Sequence, residues 1–203
     1  MKGKLLLLLT LCSAPFTRAQ TADSFAKGYY FDAGNHKHTG LLKPNGVYSS
    51  LEFKTDETQK PVKLTTHDAT AFVIGKDSFA VVRDYEVPYG FSNTTIAGSF
   101  AKVVRTGEVT LYEVASVVDN NQNPAVITGS YLLQKNNSSQ VVRVPDGAAR
   151  FRKVLSDYFS ESGIISQNIK SGTFTPDNLL EIVDLYNREL KASTLAAQAM
   201  NGF

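Results

Sequence analysis

At Pro145 the hydrophobic period of this chain changes, and that change sets its fold class. Before it, short apolar runs alternate with polar residues and are punctuated by Gly, Pro, Asn and Asp. The turns recur about every eight to twelve residues, the rhythm of an antiparallel β-meander or barrel-like sheet. After it, Phe151, Val154, Leu155 and Tyr158 fall at helical spacing behind Asp146, a natural N-cap. Ser162-Gly163 ends that helix, residues 164–170 begin a short second one, and Gly172 breaks the chain again. Thr175-Pro176 then opens a third helix, Thr as N-cap and Pro at the first helical position. Its apolar stripe runs through Leu179, Ile182, Val183, Tyr186 and Leu190, and the last dozen residues are expected to fray. Strands first and helices last predict an α+β protein. The sheet should hold about seven to nine strands, with two to three C-terminal helices packed on it.

The strands expected before residue 99 cover residues 28–31, 39–42, 47–53, 63–66, 71–74 and 78–82, with a turn at Pro44-Asn45-Gly46. Residues 86–98 (EVPYGFSNTTIAG) read as a long loop, because Pro, two Gly and Asn fall close together. Residues 99–118 then form the central hairpin, two β-rich runs flanking Thr106-Gly107. A two-residue turn with Gly at its second position sets Arg105 opposite Glu108, Val104 opposite Val109 and Lys102 opposite Leu111. Alternation then gives a core face of Phe100, Val104, Val109 and Leu111, with Arg105, Glu108, Thr110 and Tyr112 on the other. Residues 119–124 (DNNQNP) break the sheet, and strands follow at 127–134 and 141–144.

The first nineteen residues have the pattern of a secretory leader. Lys2 and Lys4 supply a basic start, residues 5–16 an apolar run, and Thr17-Arg18-Ala19 a cleavage site with small residues at −3 and −1. The apolar run is too short to span a bilayer. Leu11 before Cys12 departs from a lipid-attachment site, where a small residue precedes the cysteine. The organisation expected is a signal peptide at 1–19, a β-rich domain at 20–145 and a helical segment at 146–203. Cleavage after Ala19 removes the one cysteine, and with it disulfides, thiolate metal sites and cysteine nucleophiles. It also removes Lys2, Lys4 and Arg18 and no acid, so the 21 basic residues fall to 18 against 19 acidic. That balance leaves no electrostatic footprint for nucleic acid.

With the leader, the segments DSFAKGYYF, FAKVVRTGEVTLYEV, SYLLQK and FRKVLSDYFSESGIISQNIKSGTFTPDNLLEIVDLYN resemble a group of uncharacterised exported proteins of Bacteroidota. Those carry a G-Y-(I/Y) start, an F-x-K-V-L-x-x-G-x-(I/V)-x-L-Y hairpin, a tyrosine-bearing strand and a helical tail ending in Y-N. Tyr158, Phe159, Tyr186 and Asn187 match the tail motif. The resemblance implies a β-rich N-terminal part, a C-terminal helical tail and export. It implies no catalytic residue, and the four matching positions suit packing and capping.

Candidate chemistry is sparse. His36 and His38 form an H-x-H pair that, with Asp32 or His67, has the residue types of a zinc or copper site. The simpler reading is two solvated residues in a turn whose reversal is Gly34-Asn35. No G-x-S-x-G elbow occurs, Gly129-Ser130-Tyr131 lies on a predicted strand, and His67-Asp68 are adjacent in sequence, which argues against a serine hydrolase. Walker and G-x-G-x-x-G loops are absent. Among carboxylates, Asp56-Glu57 sits in a polar connection, while Asp84 and Glu86 flank Tyr85 and are the pair to watch for hydrolysis. The most site-like stretch is residues 87–99, where Tyr85, Tyr89, Phe91 and Asn93 set aromatic faces beside Gly and amide groups. Such surfaces hold sugars, peptides or partner proteins, and the simpler reading is a long connection whose aromatics pack onto the sheet edge.

The function expected is a non-enzymatic binding or interaction module of the bacterial envelope, periplasmic or secreted, taking a protein or glycan partner at Tyr85, Tyr89, Phe91 and Asn93. No cofactor, metal or nucleic acid is expected, nor a transmembrane helix in the mature chain. The alternatives are a small hydrolase of envelope glycans or peptides, and an assembly subunit that docks through the 179–190 stripe.

Overall fold

The computed structural model describes residues 24–45, 49–89, 92–118 and 126–201, so the leader, Cys12, Phe91 and the 119–124 breaker lie outside the described residues. The fold is α+β. Ten antiparallel strands form one open sheet, and three helices follow it. In chain order the strands are β1 (Ala26–Asp32), β2 (Lys37–Asn45), β3 (Ser50–Lys54), β4 (Val62–Thr65), β5 (Ala69–Ile74) and β6 (Asp77–Val82). Then come β7 (Tyr85–Tyr89), β8 (Ser92–Ile96), β9 (Ser99–Arg105), β10 (Val109–Val118), β11 (Val126–Lys135) and β12 (Val141–Arg143). The large sheet runs β12-β11-β10-β9-β6-β5-β1-β2-β3-β4, and β7–β8 form a separate two-stranded ribbon.

That ribbon replaces the loop expected at residues 86–98. Pro88 and Gly90 signal a loop, but Pro88 is tolerated because β7 pairs with β8 alone and a strand with one free edge can spare an N–H. Tyr85, Val87 and Ile96 from the ribbon pack with Val82, Ala101, Tyr112, Val114 and Leu132, so the ribbon lies over one face of the sheet. Pro44 follows the same logic. It lies inside β2 and not in a turn, opposite Leu51 of β3 and beyond Ala26↔Leu42 where pairing with β1 ends, so on the β1 side its missing N–H breaks no ladder.

The opposite face holds two cores. Tyr30, Leu42, Leu51, Leu64, Phe72, Phe79 and Phe100 close against one another, with Phe72 stacked on Phe79 at 4.4 Å between centroids. Val109, Leu111 and Leu133 are covered by the helices α1 (Ala148–Tyr158), α2 (Gly163–Ser171) and α3 (Leu179–Asn201). Phe151, Leu155, Phe159, Ile165, Ile169, Ile182, Val183 and Tyr186 form that helical layer. Each large side chain buried in this way contributes about 1.5–3 kcal/mol of transfer free energy. The 179–190 stripe, which the assembly alternative would dock on a second subunit, is buried against the chain's own sheet.

Three helix boundaries correct the sequence reading. Gly147, with φ 86°, precedes α1, while Asp146 instead pairs with Arg143. Ser162 both closes the α1–α2 turn and caps α2, its Oγ accepting the Ile165 N–H at 3.3 Å. The tail expected to fray continues as helix to Asn201, although residues 191–195 are all exposed. No described helix is long and apolar enough to cross a membrane.

Candidate functional site

The central hairpin carries the candidate site, through a departure from its expected register. Arg105 pairs with Leu111 instead of Glu108, and after a bulge between Leu111 and Tyr112 the pairing runs Val103↔Tyr112 and Lys102↔Glu113 in place of the expected Lys102↔Leu111. Gly107 takes no positive φ, so the connection is not the tight glycine turn expected. The bulge turns Arg105 off the face it was assigned. It reaches α3, where its Nε donates to both carboxylate oxygens of Asp184, at 3.0 and 3.2 Å. The expected core face otherwise stands. Phe100, Val109 and Leu111 are buried and Val104 packs partly against the helical core.

With β9 ending at Arg105, the backbone of Val109 lacks a partner on that side. Asn187 on α3 supplies one. Its Oδ1 accepts the Val109 N–H at 2.8 Å and its Nδ2 donates to the Val109 carbonyl at 2.9 Å. Gly107 is required here by contact. A Cβ on it would lie 2.3 Å from Asn187 Cγ. The glycine and the asparagine, eighty positions apart, fit one another.

Between these two clamps lies a groove of about 790 Å³. Thr106, Gly107 and Glu108 form the hairpin wall, Asn136 of the β11–β12 turn one end, and Asp184, Asn187, Arg188 and Lys191 the helix wall. The backbone N–H of Asn136 donates to the Glu108 carbonyl at 3.0 Å, tying the end to the hairpin. Arg188 Nε donates to the Asp184 carbonyl at 3.3 Å, which orients its guanidinium along α3.

Behind the groove, Lys135 joins sheet to helices. Its Nζ lies 2.5 Å from Glu161 Oε1, and the Tyr186 hydroxyl donates to Glu161 Oε2 at 3.1 Å. The Lys135 and Tyr186 contacts hold the Glu161 carboxyl below its usual range. Burial pushes the Tyr158 phenol up, helped by the charge of Glu161. Burial first, and then the bond to Glu161, does the same for Tyr186. Both phenols stay protonated at neutral pH, and the cluster serves as a brace.

Of the four residues expected to form a site at the 86–98 segment, the structure describes the side chains of Tyr85 and Asn93. Tyr85 is 4% exposed, its hydroxyl 2.7 Å from Ser99 Oγ, and burial raises its pKa. Asn93 is exposed and donates through Nδ2 to Glu86 Oε2 at 2.9 Å. Tyr89 pairs through its backbone with Ser92, while its side chain, like Phe91, lies outside the described residues. Of the hydrolase pair, Asp84 and Glu86 are both exposed, and Asp84 takes φ 52°. Asp56 closes its own turn by accepting from Thr58 and Gln59.

His36 and His38 both turn to Asp32, with His38 Nε2 at 2.9 Å and His36 Nδ1 at 3.3 Å from Oδ2. His67 belongs to a different turn, fixed by Asp68 on Thr65. Among the described residues no group of three or more His, Cys, Asp and Glu is placed to hold a metal ion. Asn35, with φ 63°, takes the left-handed position within the Gly34-Asn35 reversal. The bond from His38 first, then the His36 backbone N–H, pushes the Asp32 carboxyl well below its ordinary value. A lowered folded pKa contributes stability above the unfolded value of about 4 and loses it as pH falls. Asp32→Asn is therefore expected to lower Tm at pH 6, with the gap to wild type narrowing as pH falls below about 4. A gap independent of pH in thermal melts would remove the carboxylate from that turn's stability.

None of the groove's own residues was read as part of a site from the sequence. The available signal was Asn187 interrupting the apolar stripe beside Tyr186, with Asp184, Arg188 and Lys191 on one side of it. Compared with protein-family models, curated proteins and solved structures, the chain matches none.

Proposed function

We propose that this chain is an exported, non-enzymatic binding module of the bacterial envelope, and that it holds a small polar ligand in the groove between the β9–β10 tip and α3. The observation that carries the reading is the groove itself. Its volume lies within the roughly 300–1,000 Å³ of small-molecule sites, and its two walls are fixed by Arg105–Asp184 and Asn187–Val109. Preorganised walls spare the ligand the cost of ordering them. The lining offers charges, an amide and a hydroxyl, which bind and orient a ligand. Export rests on the leader pattern and on the resemblance to exported proteins of Bacteroidota.

Two measurements test the two halves. Sequencing the protein from the envelope fraction of its host should find an N-terminus at or near Gln20; an intact Met1 there overturns export. Titration of the isotope-labelled mature chain with a library of small polar solutes should move the backbone amides of Thr106–Glu108 and Asp184–Lys191. A library that leaves those amides in place overturns the groove as a binding site.

A further inference from the structure

Within that binding reading, the geometry points to a zwitterion as the ligand: an amino acid or short peptide whose amine meets Glu108 and whose carboxylates meet Arg188 and Lys191. The argument is one of charge left over. Five charged residues stand in or at the groove. Two of them, Arg105 and Asp184, neutralise each other through the paired contacts at 3.0 and 3.2 Å. Three remain, and among the described residues none of these three takes part in an ion pair. Glu108 stands on the hairpin wall, Arg188 and Lys191 on the helix wall one turn apart. The groove is thus negative on one side and positive on the other.

A simple anion would be drawn to Arg188 and Lys191 but repelled by Glu108. A simple cation would meet the reverse. A ligand carrying an ammonium at one end and carboxylates at the other satisfies both walls, and the Thr106 hydroxyl on the hairpin wall and the Asn136 amide at the groove's end can bind a peptide group. Among the described residues that line the groove none is aromatic or aliphatic, which disfavours apolar ligands.

The test uses two dipeptides, Ala-Glu with a free amine and N-acetyl-Ala-Glu. They differ in the amine, and the acetylated form carries the greater net negative charge. Binding is read from the amide shifts of Gly107, Glu108, Asn187 and Lys191 in the full mature chain. Ala-Glu is expected to bind about tenfold more tightly than its acetylated form, the size of one charge-assisted hydrogen bond. Glu108→Gln should erase that preference, and Arg188→Ala with Lys191→Ala should abolish binding of both. All three side chains are exposed, so an unchanged melting temperature confirms that the variants fold.

Equal or tighter binding of the acetylated dipeptide at these amides overturns the zwitterion and leaves the groove as an anion site. If neither dipeptide moves the amides, the zwitterion also falls. The solute library then decides separately whether the binding reading falls with it.

Discussion

Val109→Asp is expected to abolish folding, whereas Glu108→Ala, one residue earlier, is expected to leave the melting temperature nearly unchanged. Val109 is fully buried beside Leu111, Leu133 and the helical layer. Its neighbours in that cluster are apolar or aromatic, so an aspartate there would have to stay ionised without a counter-charge or take up a proton. Either costs several kcal/mol at least, against a total stability of about 5–15 kcal/mol for a domain. The substitution also strikes where β10 meets both the sheet ladder and α3, so no local rearrangement can expel the charge without undocking the helices. Glu108 is exposed and its carboxylate makes no ion pair among the described residues, and a surface change of that kind moves stability by about 0.5 kcal/mol or less. Circular dichroism melts and the dispersion of amide resonances separate the two results. A folded Val109→Asp protein with native dispersion would remove the start of β10 from the core.

The contrast between these neighbours was legible in the sequence, because alternation along a strand needs only local information. The same holds for the helix stripe, where Leu179, Ile182, Val183 and Tyr186 are buried as their spacing predicts. Pairing register was not legible. The bulge beyond Leu111 sends Arg105 to Asp184, 79 positions away, and nothing in residues 99–118 announces that partner. Gly107 shows the difficulty plainly. Its position invited a turn rule based on positive φ, but its smallness serves an approach by Asn187. Pro88 misled in the opposite direction, since a rule against proline in strands assumes two neighbours and β7 has one. The groove was illegible for the same physical reason as the register. Its walls come from three separated segments, and each alone looks like solvated surface. Tyr85 was conspicuous as an aromatic residue beside a loop, yet its ring is spent in the core and its hydroxyl on Ser99.

Asn187→Leu is expected to destabilise the protein by about 2–5 kcal/mol, although leucine fits the size of the side chain and suits an apolar stripe. The reason lies in what is left behind. Asn187 satisfies both the N–H and the carbonyl of Val109, and Val109 itself is inaccessible to water. Two stranded backbone groups cost about 1–3 kcal/mol each. An apolar replacement shields them from solvent and so removes the alternative of hydration. Gly107→Ala attacks the same joint from the other side, since its methyl would sit 2.3 Å from Asn187 Cγ and force the amide off Val109. The two changes should therefore not add. In an Asn187→Ala background the space taken by the amide is vacant, the alanine at 107 meets no obstruction, and its cost should shrink. A double-mutant cycle in denaturant measures the coupling, expected at about 1–3 kcal/mol. Strict additivity would mean that glycine and asparagine act independently, and the clamp that closes the groove's floor would lose its physical basis.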